Sequence, residues 1–239
     1  MLMRRVRAQL ILAAAVCAAI AIASTAARAD SLTTPIPKLG RGQVANAHNV
    51  PISMSLYRHW FALAVAENEP HQKLAAGILP LAPPSFGACI TSARAADPSL
   101  RSVSTARLRR ECAAAFTTAN KETLDLLLMS TWIAEGAKAM KLSVSSASVK
   151  AAYVKASKNN FAVFRSLKHY LPIAGRTAAD RLFEVRAVVT LEDIVDTINA
   201  EAPSSDVTVA QVLENAYLEL RPMTVCARAY AVSYCGATS

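Results

Sequence analysis

TARLRRECAAAFTTANKETLDLLLMSTWIAEGAKAM, residues 105–140, decides the fold class. It holds no proline and one glycine, and it is rich in alanine, leucine and charged residues, which favour helix. Its first turns are basic, with Arg107, Arg109 and Arg110. They read as a solvated helix face, with attraction of acidic partners as the alternative. Its later turns carry Leu124, Leu126, Leu127, Leu128, Met129, Trp132 and Ile133. An apolar belt that wide implies burial on more than one side, as befits a central helix.

Shorter helices are expected on either side of it. Ser145 opens one that runs to about residue 158, and a short one over 161–170 is ended by Pro172 and Gly175. Thr177 with Asp180, and Thr208 with Gln211, have the spacing of capping boxes. They open helices to about residues 199 and 220. Upstream, GQVANAHNVPIS, residues 42–53, is the one β-like stretch, and Asn49 tolerates the left-handed turn conformation. Ser53 is the expected N-cap of a helix over 54–67, in which Leu56, Trp60, Leu63 and Ala64 share a face with Tyr57 and Phe61 beside it. Residues 68–103, with Pro70, Pro80, Pro83, Pro84 and Pro98, read as a proline-rich connection holding one short helix near 86–95. The class expected is mainly α, with one long central helix and a small β element near the N-terminus.

MLMRRVRAQLILAAAVCAAIAIASTAARAD, residues 1–30, has the form of a secretory signal. A basic start leads into an apolar run, Leu10 to Ser24, that is short for a span of about 20 residues. Cleavage is expected between Ala29 and Asp30, which divides the chain into a signal, 1–29, and a mature part, 30–239. An uncleaved signal anchor is the alternative, and Cys17 lacks the small preceding residue of a lipoprotein site. The mature chain is then secreted or held in the cell envelope. Four of the 26 basic residues lie in the signal, which leaves 22 against 17 acidic, a balance of +5. That suits attraction to acidic envelope surfaces or client chains, including peripheral association with a membrane. It lacks the dense stripe of a nucleic-acid binder.

Export permits oxidised cysteines. The mature chain has Cys89, Cys112, Cys226 and Cys235, and four cysteines allow three pairings. Pairing neighbours, Cys89 with Cys112 and Cys226 with Cys235, closes two short loops, the second within a tail over 222–239. Zinc is the rival, but it favours tighter cysteine or histidine spacings, and His48, His59, His71 and His169 fall near none of the four in sequence.

Few residues suggest chemistry, and no cofactor or metal is expected. There is no P-loop, dinucleotide fingerprint or metal-binding helix signature. Ser143, Ser145, Ser146 and Ser148 contain no nucleophile elbow and read as a helix start. His59 beside Trp60 reads as a partly exposed neighbour of the core. Asp180 and Glu184 share a helix face, as do Glu192 and Asp196; they alternate with Arg176, Arg181 and Arg186 and so read as solvated ion pairs, not as acid–base carboxylates. Trp60, Trp132, Phe161, Phe164 and Phe183 read as core. Met54, Met129 and Met140 could supply adaptable contact surface.

In order along the chain, VANAHNVPISMSLYRHW, PPSFGACI with RRECAAAF, STWIAEGAKAMKLSVSSASVKAAY, FRSLKHYLPIAGRTAADRLFEVR and VCARAYAVSYC resemble segments of exported SurA/PrsA-type foldases, most of all actinobacterial ones. The resemblance covers about residues 42–235. It implies a SurA N-terminal-like helical chaperone domain in which the β element near 42–52 pairs with the tail near 223–232. Relatives hold unfolded exported polypeptides by apolar contact without ATP. Full-length relatives place a parvulin peptidyl-prolyl isomerase domain between the helix that opens at Thr208 and the cysteine tail. Here Leu220 to Cys226 joins the two directly, and the usual parvulin histidine pair has no counterpart. The expectation is a chaperone-like module with no catalytic domain. The alternatives are an isomerase of the parvulin-associated family and a structural envelope protein with one dedicated partner.

Overall fold

A tight hairpin opens the described chain. The computed structural model describes residues 37–68, 83–159, 176–204 and 206–239. The expected signal with its Ala29–Asp30 cleavage site, most of the first half of the proline-rich connection, and the expected helix over 161–170 lie outside the described residues.

Strands β1 (Gln43–Ala47) and β2 (Val50–Ser53) pair antiparallel through a two-residue turn. His48 and Asn49 both take positive φ, 50° and 67°. Such a turn matches the right-handed twist of the flanking strands, and Asn accepts that conformation at little cost. The Ser53 hydroxyl then accepts the Leu56 N–H at 3.1 Å and starts α1 (Met54–Asn68).

The later half of the proline-rich connection is ordered more than expected. Helix α2 (Gly87–Ala96) is followed by a 3-10 helix (Pro98–Ser102), whose first free N–H, on Ser99, is taken by the Asp97 carboxylate at 2.9 Å. The Ser104 hydroxyl caps α3 (Thr105–Ala139). This helix has 35 residues, so it is about 50 Å long. Helix α4 (Ser146–Asn159) starts where the Ser145 hydroxyl accepts the Ser148 N–H at 3.0 Å. Helix α5 (Ala178–Glu201) starts at the reciprocal capping box of Thr177 and Asp180, and α6 (Val209–Leu220) at that of Thr208 and Gln211.

One 3-10 turn (Arg221–Met223) carries the chain from α6 into β3 (Thr224–Cys226). A second (Arg228–Tyr230) leads toward β4 (Ala237–Thr238). The sheet order is β2-β1-β3-β4. Strand β1 pairs antiparallel with β3, Ala45 opposite Cys226 and Ala47 opposite Thr224, while β3 and β4 run parallel. The fold is therefore mainly α, with a small four-stranded sheet that joins the hairpin near the N-terminus to the C-terminal tail.

Three apolar clusters succeed one another along α3. Its first third, with Leu108, Cys112, Phe116 and Ala119, packs with Cys89 and Ile90 of α2 and with Ala64 and Val65 of α1. Its middle, with Leu124, Leu127, Leu128 and Trp132, packs on the sheet and on Tyr57, Trp60 and Leu63. Its end, with Ile133 and Ala137, meets Leu191, Ile194 and Ile198 of α5 and Val212 of α6. The helix is thus buried on several sides, as its wide apolar belt implies.

One face of α1 differs from the expectation. Tyr57 turns inward and is buried, while Leu56 is 40% exposed. Adjacent helical residues lie about 100° apart, so only one of the two can face α3. The buried hydroxyl bond of Tyr57, described below, accompanies the inward choice.

Candidate functional site

The tail is closed by a disulfide and locked to the body by buried polar contacts. Cys226 and Cys235 are joined at 2.07 Å and Cys89 and Cys112 at 2.02 Å. Cys89, Cys112 and Cys226 are almost wholly buried, and Cys235 is 8% exposed. The first bridge closes the tail beside the sheet, and the second ties α2 to α3. The Tyr57 hydroxyl donates to Asn120 Oδ1 at 2.9 Å, and Asn120 Nδ2 donates to the Tyr230 carbonyl at 3.0 Å. Burial, with a smaller contribution from Tyr230, pushes the Tyr57 phenol well above the ordinary tyrosine range. Trp132 Nε1 donates to Thr224 Oγ1 at 3.2 Å, and that hydroxyl donates to the Leu220 carbonyl. Trp132, Tyr217 and Tyr234 pack edge to face around the same corner, with the Arg221 guanidinium over the Tyr217 ring.

A second polar constellation lies where α1 meets the start of α5. His59 Nε2 is 2.7 Å from Asp180 Oδ1, between residues 121 positions apart. The other carboxylate oxygen accepts the Thr177 N–H at 2.7 Å and the Thr177 hydroxyl at 2.8 Å. Burial opposes ionisation of Asp180. The bonds from the Thr177 backbone, the His59 ring and the Thr177 hydroxyl together outweigh it and hold the carboxyl below its usual range. An ionised carboxylate only accepts, so the His59 ring donates to it from Nε2. Beside this pair Trp60 packs on Phe183, with ring centroids 5.1 Å apart. One turn on, the Glu184 carboxylate receives Arg176 at 2.5 Å and Arg181 at 2.8 Å.

Chemically this junction offers a single oriented imidazole. Among the described residues no hydroxyl or thiol is hydrogen-bonded to His59 Nδ1, and all four described cysteines are in disulfides. No group of three or more His, Cys, Asp or Glu among the described residues could hold a metal ion.

The remaining sequence-predicted residues are dispersed. Trp60 and Trp132 are core, and Phe183 packs against Trp60's cluster. Phe161 and Phe164 lie outside the described residues. Glu184 makes the expected ion pairs with Arg176 and Arg181, whereas Asp180 is buried and bonded to His59 and Thr177 and not to an arginine. Glu192 and Asp196 are exposed. Arg186 ties α5 to the start of α4 through the Val144 carbonyl and the Ser146 hydroxyl. Met54, Met129 and Met140 are each half-buried, with Met54 against the sheet-side core and Met140 against the α5–α6 core. The pairing of His59 with Asp180 and of Tyr57 with Asn120 left no signal in the chain, since each joins residues far apart in sequence. No family model, curated protein or solved structure matches the chain.

Proposed function

We propose that this chain is an exported, ATP-independent, chaperone-like module that binds unfolded or extended polypeptide segments and has no turnover centre of its own. One observation carries the reading: strand β1 of the opening hairpin pairs with β3 of the disulfide-closed tail. That is the layout the resemblance to SurA/PrsA-type foldases implies. Between α6 and β3, where those relatives insert a parvulin domain, stands a single 3-10 turn of three residues. Two disulfides are bonds that persist in oxidising compartments, which supports an extracytoplasmic setting. Among the described residues no helix is long and apolar enough to cross a membrane. The half-buried methionines and the exposed Leu56, Val154, Val188, Val209 and Leu218 are apolar groups available for adaptable contact.

The test is suppression of aggregation, without ATP, of several chemically unfolded and unrelated proteins by the disulfide-bonded chain recovered after export. Protection of all of them is expected at near-stoichiometric ratio. Protection of none overturns the chaperone reading, and protection of a single protein favours a dedicated partner. A proline-isomerisation assay on the same preparation is expected to show no acceleration, and clear acceleration would restore the isomerase alternative.

A further inference from the structure

The first turns of α3 carry charges that the helix itself disfavours. Arg107, Arg109 and Arg110 follow the Ser104 cap closely, and no acidic residue occupies the first turn. The backbone presents partial positive charge at that end, so the three guanidinium groups stand against it. Arg101 precedes them in the 3-10 helix. Arg94 donates to the Val103 carbonyl at 3.0 Å and to Thr105 Oγ1 at 3.1 Å, which folds this turn back against the start of α3. Between Arg94 and Arg110 the chain holds five arginines and one acid, Asp97. Arg107 has a partner, Glu111, at 2.9 Å. Arg101, Arg109 and Arg110 are exposed and make no ion pair among the described residues. Leu100 and Val103 lie among them, each half-buried.

We propose that this basic end of the molecule docks on an anionic bilayer through phosphate-bearing lipid headgroups. A guanidinium fork fits phosphate oxygens in pairs. Arg109 and Arg110, adjacent on a helix, diverge by about 100° around its axis, and Arg101 comes from a separate turn. A bilayer surface presents many phosphates at no fixed spacing, so exposed guanidinium groups from two elements find partners on it without being held in one array. The half-buried Leu100 and Val103 add apolar contact at the level of the headgroups, so charge and apolar area act together.

The experiment compares whole-chain variants with identical N-termini, so any contribution of residues 1–36 cancels. Co-sedimentation with vesicles of phosphatidylcholine plus phosphatidylglycerol is measured against vesicles of phosphatidylcholine alone. Each basic residue near such a surface contributes about 1 kcal/mol, so the triple variant Arg101→Gln, Arg109→Gln, Arg110→Gln is expected to lose on the order of a hundredfold in partitioning. A control, Lys141→Gln, Lys150→Gln, Lys155→Gln, removes the same charge from exposed positions elsewhere and is expected to lose only a few-fold. High salt abolishes the difference between the two vesicle types. Equal losses in the two triple variants would reduce the effect to net charge and overturn the proposal. So would binding indifferent to phosphatidylglycerol. Displacement by polyglutamate at concentrations that leave a polylysine-coated control unaffected would assign the patch to an acidic protein partner instead. Circular dichroism of both variants confirms that the fold is retained.

Discussion

The Tyr57 hydroxyl reaches across the core to Asn120 at 2.9 Å, and Asn120 passes the link to the carbonyl of Tyr230 in the tail. Helix α1, the central helix and the C-terminal segment are thereby joined through one buried amide. Tyr57 is 3% exposed and Asn120 4%, so neither group has water as a substitute partner. Removing the phenol oxygen by Tyr57→Phe leaves Asn120 Oδ1 without it and should cost about 1–3 kcal/mol. Urea unfolding of the variant would give that loss as a lower midpoint at unchanged slope.

The same tyrosine sets an alkaline limit. Its phenol is held above the ordinary range in the folded chain, so it stays protonated there while the unfolded chain ionises near the usual value of about 10. Its stabilising contribution is complete below that value and is lost as pH rises beyond it. Stability should therefore fall above about pH 10, and Tyr57→Phe should flatten the decline. Unfolding free energies between pH 8 and about pH 11 would check the slope.

Asp180 gives the opposite sign. Its carboxyl is held below the usual range by Thr177 and His59 against the effect of burial. Its contribution is complete above the unfolded value of about 4 and is lost as pH falls below it. Asp180→Asn keeps the shape but loses the charge on both the helix start and His59, and should cost about 1–3 kcal/mol at neutral pH. The variant should also lose part of the acid-side slope, which thermal melts at pH 7, 5 and 3 would reveal.

Gly236 is required by close approach. A Cβ built there would stand 2.2 Å from the Arg221 carbonyl oxygen and 2.8 Å from Pro222 Cα. Both are backbone atoms, so relief requires the tail to shift. Gly236→Ala should cost about 1–3 kcal/mol and detach β4 from β3. Amide hydrogen exchange should show loss of protection at Gly236 and Ser239, whose N–H groups donate to Thr224 and Cys226.

The two disulfides differ mainly in loop size. Cys226–Cys235 spans 9 positions and Cys89–Cys112 spans 23. In the chain-entropy model they contribute about 2.7 and 3.4 kcal/mol. Replacing either pair with alanine should lower stability by at least these amounts, because both lie in the core. Denaturant melts of the two double variants, with and without reductant, would separate the contributions.

The helix starts were the most legible part of the chain. The boxes at Thr177 and Thr208 and the serine caps at Ser53 and Ser145 form as their spacing predicts. A cap is satisfied by a donor two or three residues away, so the signal is local. The long apolar helix declared its central place in the same way, because its belt of leucines is too wide for one partner. The choice of Tyr57 over Leu56 as the inward residue was illegible. Both fit the helical period, and the distant Asn120 offered a partner only to the hydroxyl.

What the sequence determined by itself is the set of elements: a hairpin with a left-handed turn, capped helices, and one central helix with apolar groups on several sides. Periodicity, capping and turn chemistry act within a few residues, so they are written along the chain. The tail's place beside β1 was expected only from the family resemblance, and the tertiary structure alone decided its register, that β4 adds a parallel edge, and that His59 lies on a buried Asp180. The first and last of these join residues more than a hundred positions apart, and the second joins residues 12 positions apart across a tail that turns back on itself. They are settled by how whole faces pack, a property that no short stretch of sequence contains.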